Sequence, residues 1–221
     1  AIWLDSENVL FSANLRDNSD FEPNNSEIYK LNIKSGKIDQ LTSRFGPDRL
    51  PILSPDKTKI AFLGYDDKFL GYQQNSLYIM DVNGENVKLI SQGFDRNINN
   101  INWMKDGKGF YFQYDSEGMT RIASINLNGR VKDIIDELGG LSLGRPYSGG
   151  TYTISSSGRY AFTYGNVYNP ADLAVGYNGS KNRLTDLNKD LFDYKELGKV
   201  EEVWYESSYD SKKIQGWLVY P

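Results

Sequence analysis

Apolar and polar positions alternate over short stretches of this chain, and one stretch recurs. Phe11, Phe62, Phe112 and Phe162 stand 51, 50 and 50 residues apart, each preceded two positions earlier by Val9, Ile60, Phe110 or Tyr160. An apolar pair at i and i+2 is one buried face of a strand. A polar turn lies just upstream of each pair, at residues 5–8, 54–57, 105–107 and 155–158, and a short apolar segment precedes it at 2–4, 51–53, 101–103 and 151–154. Each unit therefore opens with a predicted hairpin.

A second hairpin follows in the first three units. Segments 28–33, 77–82 and 122–127 run into Ser35-Gly36, Asn83-Gly84 and Asn128-Gly129, dipeptides able to supply the positive φ of a tight turn. Fourth strands are then expected at 38–41, 87–90 and 131–135, and a looser fourth unit matches with 171–177 and 183–185. Helical spacing is confined to 131–138 and 190–197, each good for about two turns. Four strands repeating every 50 residues or so define the blades of a β-propeller. Blades are expected near 1–42, 50–91, 100–136 and 151–186. First strands should line a central channel, and strands two and three should carry the packing between blades.

Composition narrows the chemistry. The 221 residues hold 25 Lys+Arg against 29 Asp+Glu, a net charge of −4 without the basic excess of a nucleic-acid surface. Cysteine and histidine are both absent. Disulfides, thiolate chemistry, Cys/His zinc sites and any triad built on an imidazole base are thereby excluded from this chain. No apolar run approaches the roughly 18 residues that cross a bilayer, and the opening AIWLDSENVL has no basic signal-peptide region. Ala1 reads as the interior of a strand, so a piece of something longer is expected.

Two segments carry a resemblance. Leu53-Ser54-Pro55-Asp56 followed by Lys59-Ile60-Ala61-Phe62 resembles the blade hairpin of six- to eight-bladed TolB-like propellers. At the other end, Pro170-Ala171-Asp172-Leu173, Arg183-Leu184-Thr185-Asp186-Leu187-Asn188 and Ile214-Gln215-Gly216-Trp217-Leu218-Val219-Tyr220-Pro221 resemble the junction in prolyl oligopeptidase-family serine peptidases, in particular the acylaminoacyl-peptidase branch. Ser211 stands where that family usually has Gly. The resemblance implies an all-β fold: four blades of a larger TolB-like propeller over 1–198, then at 199–221 the first hairpin of an α/β-hydrolase domain. It also implies a substrate-access role, in which the propeller admits short peptides or acyl-peptides to a catalytic cavity and excludes folded proteins. The family's Ser, Asp and His lie beyond the segments matched here. With no G-x-S-x-G and no His, no catalytic residue is assigned to this chain.

Candidate binding residues are few. Asp48-Arg49 and Asp95-Arg96 precede the first strands of neighbouring blades and could ring one channel mouth. There a guanidinium fork would suit a substrate carboxylate, although an Asp–Arg pair that merely closes a loop is the plainer reading. Residues 81–85 alternate carboxylates as a calcium loop does, but Gln92 stands at position twelve, and a hairpin turn fits better. Trp3, Trp103, Trp204 and Trp217 are read as packing residues. Glu201 and Glu202 are strand neighbours, point to opposite faces and cannot serve one substrate atom together. Gly-rich residues 139–150 are the candidate mobile loop at the channel mouth. No metal or cofactor is expected. Partners are a peptide substrate reached through the hydrolase domain and that domain itself, with homo-oligomerisation open, no nucleic acid, no membrane and a cytoplasmic location. The competing class is a non-catalytic TolB-like propeller that binds a protein partner.

Overall fold

The computed structural model describes residues 1–140, 149–170 and 172–221. Their contacts gather into two compact units, residues 1–114 with 122–134 and residues 115–121 with 135–221. Within the first unit, β1 (Ile2–Trp3), β2 (Asn8–Ala13), β3 (Glu27–Asn32) and β4 (Ile38–Gln40) pair in chain order as one antiparallel sheet. The next four, β5 (Asp48–Leu53), β6 (Lys59–Gly64), β7 (Ser76–Asp81) and β8 (Lys88–Leu89), repeat that order. A third set follows in β9 (Asn99–Trp103), β10 (Gly109–Ser116), β11 (Met119–Asn126) and β12 (Val131–Leu138). The tight turns after β3, β7 and β11 place Gly36, Gly84 and Gly129 at φ +71°, +89° and +82°, values that favour glycine.

Alternation along β6 shows how the blades stack. Ile60 and Phe62 turn one way and, with Met80, pack on Leu10 and Ile28 of the first blade. Ala61 and Leu63 turn the other way and, with Leu77 and Ile79, meet Ile98, Phe110, Phe112 and Ile125 of the third. Both faces of β6 are thus buried, which accounts for its unbroken apolar run Ile60-Ala61-Phe62-Leu63. Phe62 and Phe112 are 1% and 0% exposed, so each of these two phenylalanines lies at the centre of its seam.

The helical spacing of 131–138 gives way to strand β12, in which Ile135 and Leu138 are buried. Ladder pairing with β11 outweighs a local apolar period that a two-turn helix could satisfy only marginally. Of 190–197, a single turn forms as α1 (Lys189–Phe192) with no buried residue.

In the second unit, β13 (Tyr152–Ile154), β14 (Tyr160–Tyr164), β15 (Asp172–Tyr177) and β16 (Ser180–Arg183) form the fourth antiparallel set. Leu138 at the end of β12 pairs Tyr164, beyond the reach of β13. Gly139 N then donates to Thr163 O at 2.9 Å, and a Cβ on Gly139 would lie 2.6 Å from Gly165 Cα, so two glycines let the strands close together. Most of the glycine-rich connection, residues 141–148, lies outside the described residues. After α1, β17 (Val200–Glu206) and β18 (Lys213–Val219) form a hairpin in full register, from Val200↔Val219 to Glu206↔Lys213. Its turn puts Ser211 at φ +55°, which is the physical reason a glycine is expected there. Trp103 packs on the second-to-third-blade core, whereas Trp3, Trp204 and Trp217 are 61%, 47% and 45% exposed, so none of these three is a core residue. No helix among the described residues is long and apolar enough to cross a membrane.

Candidate functional site

Asp48 opens β5 and is 1% exposed, with its backbone N–H donating to Ser26 O at 2.7 Å. Its carboxylate pairs with Arg44, whose guanidinium also lies 4.1 Å over the Tyr78 ring and 3.5 Å from Asp66 Oδ1. Gly64, opposite Asp48 in the β5–β6 ladder, leaves the room, since a Cβ there would collide with Pro47 O, the Arg44 guanidinium and the Asp48 carboxylate. Burial pushes the Asp48 carboxyl up to about 6, against the pull of Arg44 and of the Thr42 hydroxyl, and nearby Glu27 adds to the rise.

Arg49 therefore does not hold Asp48. Neighbouring strand residues point to opposite faces, and Arg49 shares its face with Leu63 across the ladder. Its guanidinium has no ion pair or hydrogen bond among the described residues, and its Nε is buried without a partner. Asp95 and Arg96 sit elsewhere in the repeat. By the ladders of β5 and β9, the positions equivalent to Asp48 and Arg49 are Ile98 and Asn99, so Asp95-Arg96 comes three residues too early. Their side chains are 85% and 46% exposed, lie 3.6 Å apart, and Gln74 donates to Asp95 at 2.9 Å. No ion pair or hydrogen bond joins the two dipeptides among the described residues.

A repeated polar clip escaped sequence reading. Thr42 Oγ1 accepts Ile28 N–H at 2.9 Å and donates to Glu27 Oε2 at 2.7 Å, with Arg16 closing on Glu27 at 2.7 Å. Ser91 accepts Leu77 N–H at 2.9 Å, and Thr185 accepts Leu173 N–H at 2.8 Å while donating to Asp172 at 2.8 Å. Arg183 pairs with Asp172 as Arg16 does with Glu27. The signal in the sequence was the dipeptides Leu41-Thr42, Ile90-Ser91 and Leu184-Thr185, each closing a fourth strand. Burial raises the Asp172 carboxyl, but hydrogen bonds from Leu187 N–H and Thr185 and the Arg183 charge outweigh it, and the group ends below the ordinary aspartate value.

The terminal hairpin rests on the β10–β11 tip inside the second unit. Gln215 Nε2 donates to Glu117 O at 3.1 Å, and the Trp217 ring covers Gly118. Glu202 Oε1 accepts from Gln215 at 2.9 Å and Trp204 Nε1 at 2.6 Å. On the opposite face, Glu201 accepts from Lys199 and from Tyr220 Oη, whose phenol it pushes up. Tyr168 Oη accepts Val200 N–H at 2.9 Å. The two glutamates are thus structural acceptors on opposite faces.

Solved structures first define the class. The chain is similar to Pyrococcus horikoshii acylaminoacyl peptidase, with TM-score 0.71 and 21% identity over 98% of this chain and 31% of that one. TolB from Acinetobacter baumannii follows with TM-score 0.59 and 18% identity, over 97% of this chain and 50% of the other. These likenesses show the fold, an all-β propeller. Sequence comparison is narrower: a dipeptidyl-peptidase 5 from Porphyromonas gingivalis is 27% identical over 135 residues, 59% of this chain. The match spans 19% of that relative's length. No family model matches the chain. Together the comparisons bear out the resemblance to the propeller region of a prolyl oligopeptidase-family peptidase.

Proposed function

We propose that this chain is the substrate-access propeller of a serine peptidase that hydrolyses short peptides or acyl-peptides, and that it carries no catalytic residue itself. Cleavage would pass through an acyl-enzyme on a Ser-His-Asp triad in an adjoining α/β-hydrolase domain, of which 199–221 form the first hairpin. The observation that carries this reading is the run of blade strands straight into a hairpin seated on a blade tip through Gln215 and Trp217, in a chain related to a dipeptidyl-peptidase. The sequence, with no histidine, offers no imidazole base of its own. At the channel mouth, Arg49 is the stronger of the two arginine candidates because its guanidinium is unpaired, while Arg96 and the carboxylates Asp48 and Asp95 serve their loops.

Peptide p-nitroanilides test the division of labour. The purified 221 residues should leave them intact, and the same residues joined to a hydrolase domain should cleave them but spare casein. Inhibitor-sensitive hydrolysis by the 221 residues alone, or casein cleavage as fast as that of a tetrapeptide, would overturn the reading.

A further inference from the structure

Each seam between blades joins two unlike faces of the repeat, and the two seams of the first unit follow one scheme. In the third blade Trp103, Phe110 and Phe112 turn toward the second blade, where they meet Ala61, Leu77 and Ile79. The Trp103 ring centroid lies 4.0 Å from that of Phe110, and Trp103 Nε1 donates to Ile52 O at 3.5 Å. In the second blade Leu53, Ile60 and Phe62 turn the same way, toward Leu10 and Ile28 of the first. One blade thus offers a plug, and the blade before it a socket.

Both faces recur at the two ends of the repeat. Trp3 pairs Val9 as Trp103 pairs Phe110, so the plug of the first blade is Trp3, Val9 and Phe11. Trp103 is packed, yet Trp3 is 61% exposed. In the fourth blade Ala161 pairs Val175 and Thr163 pairs Leu173, as Ala61 pairs Ile79 and Leu63 pairs Leu77 in the second. This face is therefore a socket. Leu77 is fully buried in its seam, whereas Leu173 is 43% exposed. A cavity of about 570 Å³ opens over Thr153, Ala161 and Val175. Thr153 stands where Ile52 does, across the ladder from the alanine. Arrays of repeats stay soluble by ending in polar outer faces, and here both end faces carry exposed apolar side chains.

We propose that the plug of one copy of this chain seats in the socket of a second copy, first blade on fourth, head to tail. Trp3 and Phe11 enter the cavity, and Trp3 Nε1 donates to Thr153 O as Trp103 Nε1 does to Ile52 O. A second copy is the occupant because the chain itself carries the complement of each face, in the pairing that its own seams already use. Two unlike faces also fix the kind of contact, which is heterologous rather than one face against its own kind. Dilution separates the copies by mass action.

Sedimentation equilibrium of the 221-residue chain over a range of concentrations tests the contact. The mean mass should rise with concentration. Trp3→Glu blocks the plug and Leu173→Glu the socket, both at exposed positions, so each variant should keep the native circular dichroism and stay monomeric. Thr153→Glu is a second block of the same socket, should Leu173→Glu disturb the fold. Mixed, a plug variant and a socket variant should form a one-to-one complex and nothing larger, because each brings one working face and like charges keep the two blocked faces apart. An unsubstituted chain that stays monomeric at every concentration would assign both faces to something other than a second copy and overturn the proposal. So would association that survives either block, or blocked variants that fail to pair when mixed.

Discussion

Asp48 is held by Arg44, four residues earlier in the chain, and not by Arg49 beside it. The carboxylate is 1% exposed, and burial with nearby Glu27 raises it to about 6 despite its cation. In the unfolded chain it titrates near the ordinary aspartate value of 3.8. Above pH 6 it is ionised in both states. As pH falls from about 6 to about 4 the native state takes up the proton first, so this group adds stability toward acid.

Asp48→Asn removes that titration. The stability of the native sequence relative to Asp48→Asn should therefore grow between pH 7.5 and 4.5, by about 2 kcal/mol at roughly 1.4 kcal/mol per pKa unit, with the remainder of the gain coming below pH 4.5. Urea denaturation of both proteins at each pH measures it. Carboxylates held low, such as Asp56 and Asp81, titrate below this window and are common to both proteins. A difference that stays flat, or shrinks toward acid, would contradict the assignment.

Thr42 satisfies a buried backbone N–H and a buried carboxylate at once. Thr42→Val keeps the shape and leaves Ile28 N–H and Glu27 each short of a partner, at a cost of about 1–3 kcal/mol. Thr42→Ser should retain most of the stability. Hydrogen exchange at the Ile28 amide reads the clip directly: protection should drop in the valine variant and persist in the serine one. Equal protection in both would remove the hydroxyl from the account.

The blades were legible because a strand buried on both faces leaves an apolar run, and a 50-residue repeat of that run has few other causes. Phe62 and Phe112 sit where the pattern put them. The polar clips were not legible, since Thr42 meets Ile28 N–H only once β3 and β4 are in register. Residues 131–138 carried two signals: the repeat set a fourth strand at 131–135, apolar positions at 131, 134, 135 and 138 also fit a helix locally, and pairing with β11 decides for the strand. At the candidate site, adjacency suggested that Asp48 and Arg49 close a loop together. The strand period of two sends them to opposite faces, which frees Arg49 and recruits Arg44.

Gly118 lies at φ +69°, and a Cβ added there would fall 2.5 Å from the Trp217 ring. Gly118→Ala combines backbone strain of about 1–2 kcal/mol with displacement of the ring. Trp217 fluorescence should shift to longer wavelength as the indole is pushed into water. In the Trp217→Ala background the same substitution should cost only the backbone strain, and the difference between the two costs measures how firmly the hairpin sits on the β10–β11 tip. Equal costs would mean that the ring contributes nothing to the seat.

Phe11 and Phe62 occupy the same place in successive blades, and each stacks on a tyrosine, with ring centroids 5.5 Å apart to Tyr29 and 5.4 Å apart to Tyr78. Their surroundings differ. Phe62 is buried in the seam with the first blade, whereas Phe11 joins neither apolar cluster of the first unit among the described residues and is only partly buried, as are Val9 and Leu31 on the same face. Phe62→Ala should cost about 3–5 kcal/mol, the range for a buried aromatic, while Phe11→Ala in the 221 residues should cost about half as much, because less area leaves water and no cavity is enclosed. Chemical denaturation of both variants decides it. In a longer protein with a further blade on the Phe11 face, the two costs should converge. Costs that differ as widely there as in the 221 residues would mean that this face stays open, against a propeller of six to eight blades.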